Sequence, residues 1–401
     1  MQIFGRKYFD GKISHGFVSL YVGKTIVMIT GGLLGLFLPV FLFNLFNQNF
    51  QHVIIFYGVG YLLYGITVFL GVRFLNKFGF RRALRLSVIL GALFYVIFYF
   101  LDQTNWHYLI PLVIIVLTLY RVCYWLPYHV DFAKFTNKKN RSRQISAINA
   151  TRGVLGIFLP LISGLLISKF GFDMLFIIAI VLYLASGIPY FTIPRTKEKF
   201  SWGYKQTVQN FFSKKYKKQM FAFAADGAET TIALVVWPIF IFQILNGDYL
   251  KMGLISTLII GITVVLQLIL GNKLDKEAKK EKVLKFGTIF SAVSWIIKAF
   301  VISAFQVFLI GAFHNLMKIF TKIPFEALTY EIAADEGHFV DEFTVLHEVA
   351  INIGKTLAII LAIMLSMFFS ISLVFLIAAV ASICLNLLRK SMGVENLPSR
   401  I

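Results

Sequence analysis

The stretch "LYRVCYWLPYHV" (119–130) places Arg121 inside a run of apolar residues. Of the 401 residues, 58% are hydrophobic and 14% are charged, and the mean hydropathy is +0.78. A membrane-spanning helix needs about 20 mainly apolar residues. Twelve such runs lie at roughly 17–43, 52–75, 83–101, 106–130, 144–169, 172–193, 219–245, 250–272, 283–303, 304–329, 343–367 and 369–388. The sequence therefore predicts an all-α membrane protein with twelve transmembrane helices.

The positive charges predict how the chain is oriented. Thirty of the 39 Lys and Arg lie on alternate connections between the runs, on the side of both termini. The positive-inside rule places that side, with both termini, in the cytoplasm of a cell (inner) membrane. These cations are spread over five loops and a tail beside the lipid bilayer, so nucleic acid is not an expected partner. We expect a monomer.

An internal repeat surrounds Arg121. Arg121 precedes Pro127 by six residues, and Lys318 precedes Pro324 by the same six. Other matched positions follow the same order along the chain: Pro39 with Pro238, Asn76 with Asp275, Asn149 with Asn352, and Arg152 with Lys355. Such a repeat indicates two related six-helix bundles. We predict an N-terminal bundle at 1–194, a basic cytoplasmic linker at 195–218 and a C-terminal bundle at 219–401.

Two loops carry the motif by which the chain resembles the major facilitator superfamily. The loop after the second helix reads "GVRFLNKFGFRR" (71–82), with Asn76 where the family has Asp and one extra residue after Gly71. Its counterpart, "GNKLDKEAKK" (271–280), keeps the acid but has Ala278 for the second Gly. The resemblance implies two pseudo-symmetric bundles and a cytoplasmic gate. The implied gating residues are Asn76, Lys77, Arg81, Arg82, Asp275 and Lys276.

Charged residues inside the predicted helices are candidates for substrate binding. Each costs roughly 2.5–3.5 kcal/mol at a helix centre, so it should face water or a partner. The resemblance implies that Arg121 and Lys318 line a central cavity, where they would either clamp an anionic group or each pair with a carboxylate. Lys298 and Lys322 are interpreted as cations that reach towards the membrane surface. The candidate substrate-binding residues are Arg121, Lys318, Tyr124, Trp125, Lys24, Arg152, Lys355, Asn149 and Asn352.

Acids in the second half are candidates for proton coupling. Asp226 and Glu229 are three residues apart on one helix face, and two carboxylates in low dielectric do not both ionise cheaply. They are predicted to form a proton relay, or alternatively to pair with Lys24. Glu348, Asn352 and Lys355 share a face of helix eleven. They are candidates either for a gate or for a ligand site. Glu326 and Glu348 complete the candidate proton-coupling set.

The sequence thus predicts a secondary active transporter that works by alternating access. It is expected to be proton-coupled and to move an anionic or zwitterionic small-molecule solute, because intramembrane cations outnumber the acids. The alternatives are a proton-driven exporter of lipophilic or cationic drugs and a non-transporting membrane scaffold or sensor. Enzyme motifs, a cofactor and a metal site are not expected, since the sequence contains neither a P-loop nor a metal-ligand cluster.

Overall fold

The computed structural model describes residues 2–3, 6–7, 13–136, 141–195, 204–277, 280–335 and 340–388. It contains the helices α1 (His15–Gly35), α2 (Leu38–Leu45), α3 (Phe50–Phe78), α4 (Phe80–Tyr99), α5 (Trp106–Phe135), α6 (Arg141–Phe191), α7 (Tyr204–Phe211), α8 (Lys217–Thr231), α9 (Trp237–Ile244), α10 (Tyr249–Glu277), α11 (Lys280–Lys298), α12 (Ala304–Asp335), α13 (Val340–Phe368) and α14 (Phe375–Cys384). A π-helical turn joins α8 to α9, and short 3₁₀ turns flank α14. Two-residue strands, β1 (Gln2–Ile3) and β2 (Arg6–Lys7), form a small antiparallel pair that the all-α prediction lacked.

These helices form the twelve predicted spans. Within the described ranges, nine helical stretches are long and apolar enough to cross a membrane. One of them, α6, is twice the necessary length, and it is broken at Gly171, where φ is 74°. The remaining two spans are the more polar α11 and the shorter apolar stretch Ile371–Leu387. The predicted all-α membrane fold of two six-helix bundles is confirmed.

The turns that follow the first span of each half share a backbone conformation. Asn47 has φ 52° and its counterpart Asn246 has φ 51°. Asn49 Oδ1 then accepts the backbone N–H of His52, as Asp248 Oδ1 accepts that of Lys251. This N-H bond and the Lys251 side chain hold the pKa of the Asp248 carboxyl below its ordinary value. A left-handed residue followed by a capping side chain therefore begins α3 and α10 alike.

The spans that begin each half, α1 with α2 and α8 with α9, are both interrupted near a proline. Pro39 lies in the first turn of α2, and Pro238 lies in the first turn of α9. Proline suits a first turn because its missing N–H would have no helical partner there. On the face opposite the one where α1 begins, these segments meet across the two halves, and Asn44 Nδ2 donates to the Tyr249 hydroxyl at 2.7 Å. The halves are therefore in direct contact at that face.

Two helix pairs form the largest contacts between the halves, α6 with α10 and α3 with α13, and α5 makes a smaller contact with α13. A Cβ added to Gly164 would lie 2.6 Å from the Tyr249 carbonyl, so this crossing needs a residue without a side chain. Beside it, Thr257 Oγ1 accepts the backbone N–H of Leu161, whose chain neighbour is a proline. Small residues and side-chain hydrogen bonds are typical of close helix packing in membranes.

The short helix α7 lies on the face where α1 begins, which we call the basic face because the Lys- and Arg-rich loops lie there. It contacts both α3 and α13, one helix from each half. Phe211 packs against the core of both groups of helices, whereas the neighbouring Phe212 is 78% exposed. The described part of the predicted linker is thus docked across the two halves.

Candidate functional site

A cavity of about 380 Å³ opens among α1, α5 and the first part of α6. We call it the N-half cavity. Two cations, three tyrosines, a tryptophan, three glycines and four aliphatic or sulfur side chains line it: Lys24, Arg152, Tyr120, Tyr124, Tyr183, Trp125, Gly31, Gly32, Gly156, Val27, Met28, Leu155 and Leu159. Its volume is in the range of small-molecule sites. Four predicted substrate-binding residues, Lys24, Arg152, Tyr124 and Trp125, therefore meet in one place.

Lys24 is buried, and aromatic rings surround its ammonium group. Its Nζ lies 4.2 Å from the ring centre of Trp125, 4.7 Å from that of Tyr128 and 5.1 Å from that of Tyr124. A cation–π contact of this kind contributes about 0.5 kcal/mol at an exposed site and about 2 kcal/mol at a desolvated one. Among the described residues Lys24 has no carboxylate at ion-pair distance. The predicted alternative that Lys24 pairs with Asp226 and Glu229 is wrong.

Arg152 stands at the mouth of the N-half cavity. Its side chain is exposed, and its Nη1 donates to Asn149 Oδ1 at 3.4 Å. The guanidinium is close enough to Lys24 for the two charges to repel. Throughout residues 13–195 the acids are Asp102, Asp131 and Asp173, and none of these lines the cavity. The N-half cavity is therefore lined by two basic side chains and by no acid.

Arg121 lies in a second group, at the contact between α3, α5 and α13. Its Nη1 donates to the Gly60 carbonyl at 3.3 Å, and its guanidinium carbon lies 5.1 Å from the ring centre of Tyr61. Lys355, from the other half, approaches the same ring at 4.9 Å. Glu348 is near enough to attract both cations. Arg121 and Lys355 thus share one tyrosine across the two halves.

Lys318, the counterpart of Arg121, is held by an acid in its own half. Its Nζ donates to Glu229 Oε2 at 2.5 Å, and Trp295 Nε1 donates to Glu229 Oε1 at 3.0 Å. The Glu229 side chain is fully buried, while that of Lys318 is 20% exposed. Both oxygens of the carboxylate are therefore occupied, and Lys318 has the pairing role rather than the clamp role in this conformation.

Asp226, one helical turn before Glu229, has its own lysine. Lys322 Nζ donates to Asp226 Oδ1 at 2.6 Å. The two acids thus each have a separate cation, which removes the sequence argument that they share one proton. The interpretation of Lys298 and Lys322 as cations reaching for the membrane surface is wrong. Lys298 is buried with its Nζ 3.8 Å from the ring centre of Trp295 and 4.4 Å from that of Trp237.

The other predicted site residues are more scattered. Asn352 is buried, and its Nδ2 donates to the Glu348 carbonyl at 2.8 Å. Glu326 is exposed on α12. Sequence reasoning missed Tyr183 and Tyr61, because a single tyrosine gives no periodic signal. It named Lys298 but placed it at the membrane surface, because its tryptophan neighbours are distant in sequence. The lone sequence hint was that Trp237 and Trp295 both lie in spans of the second half.

The predicted gating residues lie at the basic face. Asn76 and Lys77 end α3, and Arg81 Nη1 donates to the Ile193 carbonyl at 3.4 Å. Arg82 is exposed beside it. The side chains of Asp275 and Lys276, near the end of α10, lie outside the described residues. A gating role for this group stays a prediction.

Twelve spans in two related halves, with basic side chains lining a cavity in the first half, are typical of a transport protein. The sequence profile of the Major Facilitator Superfamily matches residues 20–224, which is more than half of the chain. The protein belongs to the major facilitator superfamily and is a multi-pass membrane transporter of that family.

Comparison with solved structures supports the same fold. The crystal structure of a mutant of the peptide transporter POT in complex with alafosfalin aligns with a TM-score of 0.66 at 12% sequence identity. The alignment covers 96% of this chain and 94% of that chain. A comparison with curated protein sequences gives no match.

Proposed function

We propose that the protein is a secondary active transporter that moves an anionic or zwitterionic organic solute by alternating access, coupled to protons. The observation that carries the proposal is the division of charge between the halves. In the second half, Lys318 and Lys322 are paired with Glu229 and Asp226. In the first half, Lys24 and Arg152 face a cavity with no acid among its lining residues.

The energetics of the N-half cavity favour an anion. Cation–π contacts are worth about 2 kcal/mol when desolvated, whereas removing a charge from water costs several kcal/mol. Lys24 is therefore incompletely compensated, and Arg152 adds repulsion. An acidic group between the two cations would relieve that repulsion and form charge-assisted hydrogen bonds. The alternative of a cationic drug substrate has less support, because Asp226 and Glu229 already bind lysines.

The two related halves and the contacts between them support alternating access. In the proposal, residues 1–194 and 219–401 move as two bodies joined by 195–218, and the contact of Asn44 with Tyr249 opens at one stage of the cycle. The basic face is assigned to the cytoplasm, and the protein acts as a monomer. Protonation of Glu229 or Asp226 would release Lys318 or Lys322 in the second half, and the contact between the halves would link that change to the solute in the first half.

The anion preference is tested by thermal shift in lipid nanodiscs, with organic acids and organic amines of matched size. Acids should stabilise the wild-type protein, and Arg152→Gln should lose at least half of that shift. Lys169→Gln removes the same charge from an exposed position of the same helix and should keep the shift. Stabilisation by amines but not by acids would overturn the proposed substrate class.

Proton coupling is tested in proteoliposomes with a pH-sensitive dye. Proton movement is driven by an organic acid that stabilises the wild-type protein in the thermal-shift test. It should fall at least fivefold in Glu229→Gln, because the neutral amide is not protonated in the pH range of the assay. Glu281→Gln, on an exposed position of the same half, is the control. Unchanged proton movement in both Glu229→Gln and Asp226→Asn would remove these residues from coupling.

A further inference from the structure

The N-half cavity has one charged end and one apolar end. Helices α1 and α6 both start at the basic face, so their residues can be compared by depth. Lys24 and Arg152 lie seven residues before Gly31 and Leu159 respectively. At 1.5 Å per residue this is about 10 Å of helix. The cations therefore stand together at the end of the cavity that lies towards the basic face, and the deeper 10 Å of the cavity carries no charge among its lining residues.

The tyrosine wall of the N-half cavity runs from Tyr124, beside Lys24, to Tyr120 and Tyr183 at the deep end. Tyr183 donates its hydroxyl to that of Tyr120 at 2.9 Å, and Tyr190 donates to that of Tyr124 at 3.4 Å. The rings of Tyr120 and Tyr124 are stacked at 5.4 Å with an angle of 15° between their planes. In these pairs the Tyr120 and Tyr124 hydroxyls are acceptors, and the rest of the wall that the two stacked rings form is carbon. Its chemistry suits an apolar group.

The facing wall combines glycine backbone with aliphatic side chains. Gly31, Gly32 and Gly156 line the cavity without side chains, and Leu159 packs against Gly32, where an added Cβ would lie 2.3 Å from Leu159 Cδ1. A Cβ added to Gly31 would find no atom within 4 Å. The deep end is therefore space that this sequence leaves unfilled, bounded by ring carbon on one side and glycine on the other.

We propose that the N-half cavity selects a short hydrophobic organic acid, with its acidic head between Lys24 and Arg152 and its apolar body beside Gly31, Tyr120 and Leu159. This inference rests on the proposed function and narrows its substrate class. The cations recognise the head, and burial of the body supplies affinity. A hydrophilic acid of equal charge would leave its hydroxyl groups without partners in the deep end.

The test measures binding to the full chain in nanodiscs by isothermal titration, with 3-phenylpropionate and octanoate as hydrophobic acids and gluconate as the hydrophilic acid. Octanol and octylammonium control for partition into lipid. Burial of two methylene groups already gives about tenfold in affinity, so each hydrophobic acid should bind at least tenfold more tightly than gluconate. Gly31→Leu fills the deep end and should weaken 3-phenylpropionate at least tenfold.

Gly35→Leu is the matched control, because an added Cβ there also meets no atom and Gly35 does not line the cavity. It should change affinity less than twofold. Equal binding of gluconate and 3-phenylpropionate, both lost in Arg152→Gln, would overturn this inference and leave the proposed function intact. Binding of octylammonium alone would overturn both. If Gly31→Leu fails to fold, the comparison of acids in the wild-type protein still decides the matter.

Discussion

The pair of Lys318 and Glu229 gives the sharpest prediction about what stabilises the second half. Replacing Lys318 by Met leaves a fully buried carboxylate with only the Trp295 N–H on one oxygen. Breaking a buried pair by removing one partner costs about 3–5 kcal/mol. Lys298 is close enough to attract Glu229, and Lys318 is 20% exposed, so we expect the lower end, about 3 kcal/mol.

The double variant Lys318→Met with Glu229→Gln should be more stable than Lys318→Met alone. Glutamine keeps a carbonyl oxygen for the Trp295 N–H and carries no charge, so the uncompensated anion disappears. Replacing both partners of a buried pair is often nearly neutral. We therefore expect the double variant to recover about 2 kcal/mol of the unfolding free energy that Lys318→Met loses. A coupling of that size is far above the error with which independent mutations add.

The pair of Lys322 and Asp226 is the internal comparison. The Lys322 side chain is 37% exposed, so solvent screens its charge and the coupling should be about 1 kcal/mol or less. Unfolding free energies can be measured by SDS titration in mixed bicelles for both cycles. Coupling of Lys318 with Glu229 below about 0.5 kcal/mol would refute the argument that this buried pair is the stronger one.

Three further pairs of variants test the packing. Phe211→Ala should reduce the free energy of unfolding by about 1–2 kcal/mol, because half-buried Phe211 joins the cores of both halves. Phe212→Ala should have little effect, since Phe212 is exposed. Equal losses of the two variants in bicelle unfolding would contradict the docking of α7. Asp248→Ala and Asn49→Ala should each cost about 1 kcal/mol as lost N-caps, and a clear difference between their unfolding curves would argue against equivalent turns. Gly354→Val should lower the free energy of unfolding by about 2 kcal/mol or more, because its Cβ would overlap the Ala224 carbonyl. Gly261→Ala should be neutral in the same assay, because an added Cβ at Gly261 meets no atom within 4 Å.

The fold was accessible from sequence because the membrane imposes it. Apolar runs long enough to span a bilayer are visible without tertiary information, and the basic loops alternate with them. Matched prolines also predicted the repeat, and the structure adds a repeat of backbone conformation at Asn47 and Asn246. The two residues are identical and 199 positions apart, the same offset as Pro39 and Pro238, so this match was also within reach of the sequence.

The pairing of charges was less accessible. Sequence symmetry placed Arg121 and Lys318 at equivalent positions, yet one donates to a backbone carbonyl and the other binds Glu229. Equivalent positions acquire different partners because the neighbouring helices of the two halves have different residues. Lys24 shows the same limit, since its aromatic neighbours come from α5 and no spacing on α1 indicates them.

The account depends on the anion preference of the N-half cavity, and an isosteric pair of ligands isolates that preference. 3-Phenylpropionate and 3-phenylpropanamide share a body and differ in the charge of the head group. Titrated into nanodiscs, the acid should bind the wild-type protein at least tenfold more tightly than the amide, and Lys24→Met with Arg152→Gln should abolish the difference. Equal binding of acid and amide to the wild-type protein, or a preference for the acid that persists in the double variant, would contradict the account.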